Sequence, residues 1–466
     1  MMPARRLRLA FFSPFNPQKS GIADYSEELL PHLGDLADID LISGLPRLSN
    51  PSLPARFRVR SVAKFLADHA GYDAAIYQIG NNLDHHGYMV PCMRVVPGIL
   101  VLHDLCLQYL MLGLTLRAGN FRALIQTLTP SYGRAAVPLA TKLLLNLGDP
   151  NRLSFAGPLI DMSTAVIVHS CFARDRVAEV APDKPTRVIP MGVPLDDEQT
   201  PFAFLRSRYG LEPDDFILAS VSTLAASKRL DVALRAVHQL KRHLPRLKFL
   251  IVGGGNLGDE ARAMILRYSL QDTVVITGWV VREDYRGLIA LASVVLDLRY
   301  PSGAETSASL TRAMAVGRPL IVSAQGSFLE LPGGCTIKVP VDAREVDGIT
   351  QSVLRLAADA GLRESTGRHA RAFCESNLQL KQAARAYIEF AAEVASVPEG
   401  RRHVVLWPAA ETRNHMAALV SGVYKLSRVA YLYRNYGWSD TLRRIREETR
   451  RQPAWSRSDR ESSNYA

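Results

Sequence analysis

The run Leu7-Arg-Leu-Ala-Phe-Phe12, the loop Ser13 to Ser20 and the segment Gly21 to Leu33 decide the fold class. The first run is apolar at nearly every position, as in a strand buried on both faces. The last segment is apolar at Ile22, Tyr25, Leu29 and Leu33, the spacing of one helical face. The pattern continues with Asp38-Ile-Asp-Leu-Ile42, Ala74-Ala-Ile-Tyr77, Gly98-Ile-Leu-Val-Leu102, Ala165-Val-Ile-Val168 and Arg187-Val-Ile-Pro190. Prolines and acidic residues between Met191 and Asp215 interrupt it and predict a linker. It restarts with Phe216-Ile-Leu-Ala-Ser-Val221, Lys248-Phe-Leu-Ile-Val252, Val274-Val-Ile276, Ser293-Val-Val-Leu-Asp297 and Pro319-Leu-Ile-Val322. Helical patterns such as Leu230 to His243 and Ser307 to Val316 fill the gaps. The expected fold is α/β, with two doubly wound, Rossmann-like parallel-sheet domains.

The chain has 466 residues, 47% of them hydrophobic, which suits two or more domains with sizeable cores. Its net charge of +11 permits an acidic partner such as a phosphate or an anionic surface. No basic residues accompany a recognisable nucleic-acid module, so no nucleic-acid partner is expected. The cysteines (Cys92, Cys106, Cys171, Cys335 and Cys374) are scattered, without metal spacing or a disulfide framework. A reducing cytoplasm is the expected location, and no metal or cofactor is expected. The apolar run after Arg5, Arg6 and Arg8 is too short for a signal peptide. The stretch Val101 to Leu116 is interrupted by His103, Asp104 and Gln108 and is too short to span a bilayer.

Six places could carry chemistry. Pro17-Gln-Lys-Ser-Gly-Ile-Ala23 joins a strand to a helix, where Gly21 admits close approach of an anion to free N–H groups; a plain turn is the other reading. Leu102-His103-Asp104 ends a buried strand, the edge where open α/β sheets bind ligands. There His103 could bond a hydroxyl or phosphate, or simply pack. Tyr77-Gln-Ile-Gly-Asn81-Asn82 ends another strand with amides suited to sugar hydroxyls, and His85-His86 after it lacks zinc spacing. Lys228-Arg229 begins a helix as two adjacent cations able to neutralise a diphosphate, or as a solvated pair. Val252-Gly253-Gly254-Gly255-Asn256 is a glycine-rich turn lacking the full dinucleotide fingerprint. Arg299-Tyr-Pro-Ser-Gly-Ala-Glu305-Thr306-Ser307 runs into a helix through Arg312, setting a carboxylate before free N–H groups, or a simple cap.

Taken in order over about residues 7–390, these marks resemble the retaining glycosyltransferases of the GT-B fold, family 4, of the bacterial polysaccharide-assembly type. Val168-His-Ser170 with Phe172, Val188-Ile-Pro-Met-Gly-Val193 and the stretch Pro301 to Pro319 add to the resemblance. It implies two domains facing a cleft: an acceptor domain over 1–195, a linker over 196–213, and a donor domain over 214–378. A helix over 379–397 then returns to the acceptor domain, followed by a basic helical tail over 398–466. His103, Glu305 and Lys228 match the catalytic set. Gly21, Lys228, Arg229, Gly253, Gly254, Glu305, Thr306, Ser307 and Arg312 fall on the donor side, and Tyr77, Asn81, Asn82 and Asp104 on the acceptor side. Two positions depart from the family: Arg312 stands where a second glutamate is common, and Thr223 where an arginine is, with Arg229 as a substitute charge.

The resemblance implies transfer of a sugar from a GDP- or UDP-sugar to a glycan or lipid-linked acceptor, with retention and without a metal. A catalytically silent scaffold for a partner transferase and a nucleotide-sugar epimerase are the alternatives. The tail holds 13 Lys and Arg against 7 Asp and Glu and three of the four tryptophans. Met416, Leu419, Val420, Val423, Leu426 and Ala430 keep helical spacing. An anionic membrane surface on the inner face of the plasma membrane, or a partner protein, is the expected contact, with packing on the protein itself as the other reading.

Overall fold

The computed structural model describes residues 6–195, 200–221, 226–254, 258–397 and 415–450. The chain divides into two compact units. The first holds Met1–Ile189, Gly303–Glu305 and Ala384–Ala466; the second holds Pro190–Ser302 and Thr306–Ala383.

The first unit is built on seven parallel strands: β1 (Arg8–Phe12), β2 (Asp38–Ile42), β3 (Arg58–Arg60), β4 (Ala74–Ile79), β5 (Ile99–Leu102), β6 (Ala165–Val168) and β7 (Thr186–Val188). They lie in the order β3-β2-β1-β4-β5-β6-β7. Leu9 pairs with Ile39 on one side and Ala74 on the other. Leu9, Phe11 and Phe12 are fully buried, as continuous apolar strands require. The second unit has β8 (Phe216–Val221), β9 (Leu247–Val252), β10 (Val274–Gly278), β11 (Val294–Asp297), β12 (Leu320–Ser323) and β13 (Thr336–Val339), in the order β10-β9-β8-β11-β12-β13. All its pairs are parallel too. In each sheet the order reverses beside the first strand, between β1 and β4 and between β8 and β11. Helices cover the sheets, and the expected doubly wound pair of sheets is what the chain forms.

Two strands escaped the pattern reading. β3 is Arg-Val-Arg, an edge strand whose Arg60 is held by Asp40 at 2.8 Å. β13 is the opposite kind of edge, Thr-Ile-Lys-Val. Both are short and carry charge, as edges tend to. The stretch read as a linker contains a helix, Phe202–Tyr209, whose Leu205 is fully buried in the second core. Residues 196–199 lie outside the described residues.

The helix Leu380–Ser396 follows the second unit and reaches the first, where Arg187 pairs with Glu393 at 2.6 Å. Of the tail, residues 398–414 and 451–466, with Trp407 and Trp455, lie outside the described residues. Its helix His415–Arg450 is interrupted at Gly437. Val420 and Tyr424 pack against the first core, and Ser427 accepts from Asn146 at 2.7 Å and donates to the Leu144 carbonyl at 2.7 Å. Leu419, Leu426, Tyr433, Trp438 and Leu442 are exposed. No helix among the described residues is long and apolar enough to cross a membrane.

Candidate active site

In the first unit the carboxyl ends of β1, β4, β5 and β6 supply the groups. Ser20 caps the helix Gly21–Gly34 by accepting from the Ile22 N–H at 3.2 Å, leaving Gly21 exposed at the first turn. Gly80 sits so close to this helix that an added Cβ would lie 2.3 Å from Ile22 Cδ1. Asp104 Oδ2 accepts the Asn81 N–H at 3.3 Å. Leu105 N–H donates to the Gly303 carbonyl at 2.8 Å, and Glu305 Oε2 accepts the Gly303 N–H at 2.6 Å. These bonds bring Glu305 onto the segment that begins at His103. The thiol of Cys106 there is pushed up to about 12, by burial first and then by Asp104 and Glu305.

His103 is buried, and its Nε2 meets Gln78 Oε1 at 2.7 Å. Two further histidines lie near. His169 Nδ1 donates to the Ile189 carbonyl at 2.8 Å, and His86 Nδ1 to the Gln78 carbonyl at 3.0 Å. Burial holds all three in the neutral form. It lowers His169 to about 4 and His86 to about 3, and takes His103 well below the usual range with help from His169 and His86.

In the second unit, Ala226–Lys228 forms a short turn of helix before Leu230–Leu240. Arg229 joins them in the left-handed region, with φ 55°. Its guanidinium pairs with Glu345, which is 2% exposed. Tyr300 N–H donates to the Ser227 carbonyl at 2.8 Å, tying the loop after β11 to the loop after β8 across the switch point. At the end of β11, Arg299 bonds Asp297 at 3.2 Å and Ser307 Oγ at 2.6 Å, all three being buried. Ser307 Oγ also donates to Asp297 and caps the helix Ala308–Ala315 by accepting from Leu310 N–H at 3.3 Å. The Thr306 hydroxyl, one residue earlier, is buried with no hydrogen-bond partner.

Three of the expected site residues have their side chains engaged elsewhere. Tyr77 is no acceptor ligand: it is fully buried, stacked on Phe12 at 4.4 Å, and donates to the Val96 carbonyl at 2.8 Å. Ser307 offers no free hydroxyl to a donor, because the cap and the Asp297–Arg299 network use it. The charge of Arg229 is directed at Glu345 rather than available as a second cation beside Lys228. Asn81 and Asn82 also do local work. Asn81 Oδ1 accepts from Tyr109 N–H at 2.7 Å, and Asn82 caps the helix Leu83–His86. Lys228 and Arg312 are both half-buried. Gly253 bridges to Gly278, and Gly254 lies against Trp279. Thr223, Gly255 and Asn256 lie outside the described residues. Sequence reasoning gave no role to Asp297 and Glu345, because charged residues read as surface, nor to Tyr25 and Tyr387, because aromatic residues read as core, and it named Arg299 only as the start of the Glu305 loop.

Residues 202–373 match the profile of the family described as glycosyl transferases group 1. The chain is 28% identical over 265 residues to the GDP-mannose-dependent α-(1-6)-phosphatidylinositol monomannoside mannosyltransferase of Mycolicibacterium smegmatis, a match covering 54% of this chain and 66% of that protein. Among solved structures it is similar to the sucrose-phosphate synthase of Thermosynechococcus elongatus, with a TM-score of 0.60 at 18% identity, covering 84% of this chain and 99% of the other. It is also similar to HepE of Anabaena, solved in complex with UDP, with a TM-score of 0.56 at 17% identity, covering 83% of this chain and 100% of the other. The chain thus has the fold of the GT-B glycosyltransferases, two Rossmann-like parallel-sheet units, and its second unit carries the profile of glycosyl transferases group 1.

Proposed function

We propose that the protein is a retaining glycosyltransferase of family 4. It moves a sugar from a GDP- or UDP-sugar to a glycan or lipid-linked acceptor in polysaccharide or glycolipid assembly. The observation that carries this reading is the group 1 profile lying on a sheet whose switch-point loops present Lys228 and the N-terminus of helix Ala308–Ala315. The names of the relatives support it: one is a GDP-mannose-dependent mannosyltransferase acting on a phosphatidylinositol mannoside, and HepE was solved with UDP.

In this reading Lys228, the Thr306 hydroxyl and the free N–H groups ahead of Leu310 hold the diphosphate and stabilise it as it leaves, so the step needs no metal. Gly21 leaves room for the donor phosphates at the helix it opens. Glu305 and His103 bond the hydroxyls of the transferred sugar, and Asp104 with the amide groups of Asn81 and Asn82 faces the acceptor. The bond from C1 to the diphosphate oxygen breaks while the acceptor oxygen bonds C1 on the same face. The acceptor proton passes to the departing phosphate. The exposed Leu419, Leu426 and Tyr433, one helical stripe, are assigned to contact with an anionic membrane surface on the cytoplasmic side, with Lys425 and Arg434 exposed on the same helix.

The test is sugar transfer from a panel of GDP- and UDP-sugars to a membrane lipid extract, with Lys228→Ala and Glu305→Gln as controls. Each substitution is expected to lower kcat/KM by at least about tenfold. A loss below that in both would remove the site assignment. Arg312, in place of the common second glutamate, favours one other reading, a silent scaffold that binds a partner transferase. That reading gives no turnover with any donor. A product that changes the donor sugar without any acceptor would instead identify an epimerase.

A further inference from the structure

A buried polar cluster reaches from the carboxyl ends of β4, β5 and β6 to the helix Leu380–Ser396. Gln78, on β4, is fully buried between two histidines: its Oε1 meets His103 Nε2 at 2.7 Å, and its backbone carbonyl accepts from His86. The Tyr25 ring lies 5.8 Å from the rings of both His103 and His169, which are themselves 4.8 Å apart. Tyr387, on the helix Leu380–Ser396, is fully buried. Tyr25 Oη, Tyr387 Oη, Gln78 Nε2 and His169 Nε2 are all buried and complete no hydrogen bond. Buried polar groups left in this state are costly, and apolar side chains of the same size would pack here more stably.

The chemistry of Gln78 gives the cluster a use. A carboxamide oxygen can only accept, so His103 carries its proton on Nε2 and leaves Nδ1 as a bare acceptor. The other end of the carboxamide, Nε2, is a donor that completes no hydrogen bond, so the contact with His103 is the hydrogen bond that the Gln78 side chain makes. The phenol of Tyr25 is held well above its usual value, by burial first and then by Tyr387. A side chain at 78 that could neither accept nor donate would leave the His103 tautomer unset.

We propose that Gln78 is a positioning residue whose carboxamide oxygen fixes His103 as the Nε2–H tautomer and so presents Nδ1 as the acceptor for a substrate hydroxyl. The proposal rests on the glycosyltransferase reading of His103.

Long-range 1H–15N correlation spectra of the full chain, labelled at histidine, test it, with His103→Gln assigning the resonance. The wild type should show His103 protonated at Nε2. Gln78→Leu should convert that pattern to Nδ1–H or to a mixture, whereas Gln78→Glu, still an acceptor, should keep the proton on Nε2. Gln78→Met, of similar length and without a carboxamide, serves as the second variant if Gln78→Leu does not fold, and should give the same change. In the transfer assay, Gln78→Leu should lower kcat by at least about tenfold with little change in donor KM. A wild-type His103 protonated at Nδ1, or an unchanged His103 pattern in Gln78→Leu or, where that does not fold, in Gln78→Met, overturns the proposal. A fixed Nε2–H tautomer without turnover of any nucleotide sugar upholds the positioning role and overturns the functional reading instead.

Discussion

Arg229 illustrates how a neighbour decides what a charge can do. In the sequence it stands beside Lys228 as a second cation for a diphosphate; in the fold its partner is the buried carboxylate of Glu345. Removing the arginine would strand that carboxylate, which costs about 3 kcal/mol when a buried pair is broken from one side. Arg229→Ala should therefore lower the urea midpoint, and adding Glu345→Gln should restore most of it. A variant that kept its stability but raised the donor KM would show instead that Arg229 binds the donor. The three buried histidines make a second prediction. His86, His103 and His169 are neutral in the folded state, their values lowered by burial. Below about pH 6.5 the unfolded chain takes up protons at these positions that the folded chain refuses. Stability is therefore full above that pH and falls as the pH drops toward about 4 for His169 and about 3 for His86. Each contributes a slope of ~1.4 kcal/mol per pH unit in that window. Urea midpoints at about pH 7.5, 6 and 5 check the sign, and a midpoint that stayed level would contradict it.

Among elements, the helix Ala308–Ala315 is held from behind by Ala360–Asn377. There Arg371 donates to the Ala315 carbonyl at 3.1 Å, and Cys374 lies against the Thr311 carbonyl at 3.7 Å. The approach is close at Gly367, where an added Cβ would stand 2.1 Å from the Gly317 carbonyl oxygen. Because that neighbour is backbone, Gly367→Ala must push the two segments apart, at ~2 kcal/mol. Thermal unfolding should show a lowered Tm, and donor KM should rise if the helix N-terminus holds the diphosphate. An unchanged Tm would mean that the two segments separate freely. This contact had no sign in the sequence, because a glycine inside a helix reads only as a weak helix former. The central strands were legible for the contrary reason. Burial on both faces makes β1, β8 and β11 continuous apolar runs, while β3 and β13, at the edges, have no such requirement. Site residues divide in the same way. His103 announces itself by standing just past β5, and Glu305 by preceding a helix in a loop of small residues. Asp297 and Arg299 do not, since only the fold reveals that a charged pair is buried against Ser307. Tyr77 misled because a strand's end and a strand's core are adjacent along the chain yet point to different surroundings.

At the scale of the whole molecule, each unit has its own sheet and its own buried core, so each can respond separately to a ligand. The doubling was legible, because the strand pattern stops near Met191 and begins again at Phe216; a return helix over 379–397 was an expectation from the family resemblance, whereas the place of Gly303–Glu305 in the first unit had no sign in the sequence, since it depends on contacts distant in sequence. Under the proposed function the second unit binds the nucleotide. A ligand that binds only the folded form stabilises it by RT ln(1 + [L]/Kd), roughly 2.7 kcal/mol at a hundredfold excess over Kd. A thermal-shift series with UDP, GDP and ADP should therefore raise the melting temperature for one base above the others. The shift should shrink or vanish in Lys228→Ala, which removes a group facing the phosphates, and should persist in His103→Gln, which leaves the second unit intact. A selective shift with that dependence would fix the donor base and place the diphosphate at the β8 switch-point loop. Equal shifts for wild type and Lys228→Ala would move the nucleotide elsewhere, and no shift with any of the three would favour the scaffold reading, in which the tail helix rather than the sheet edge is the working surface.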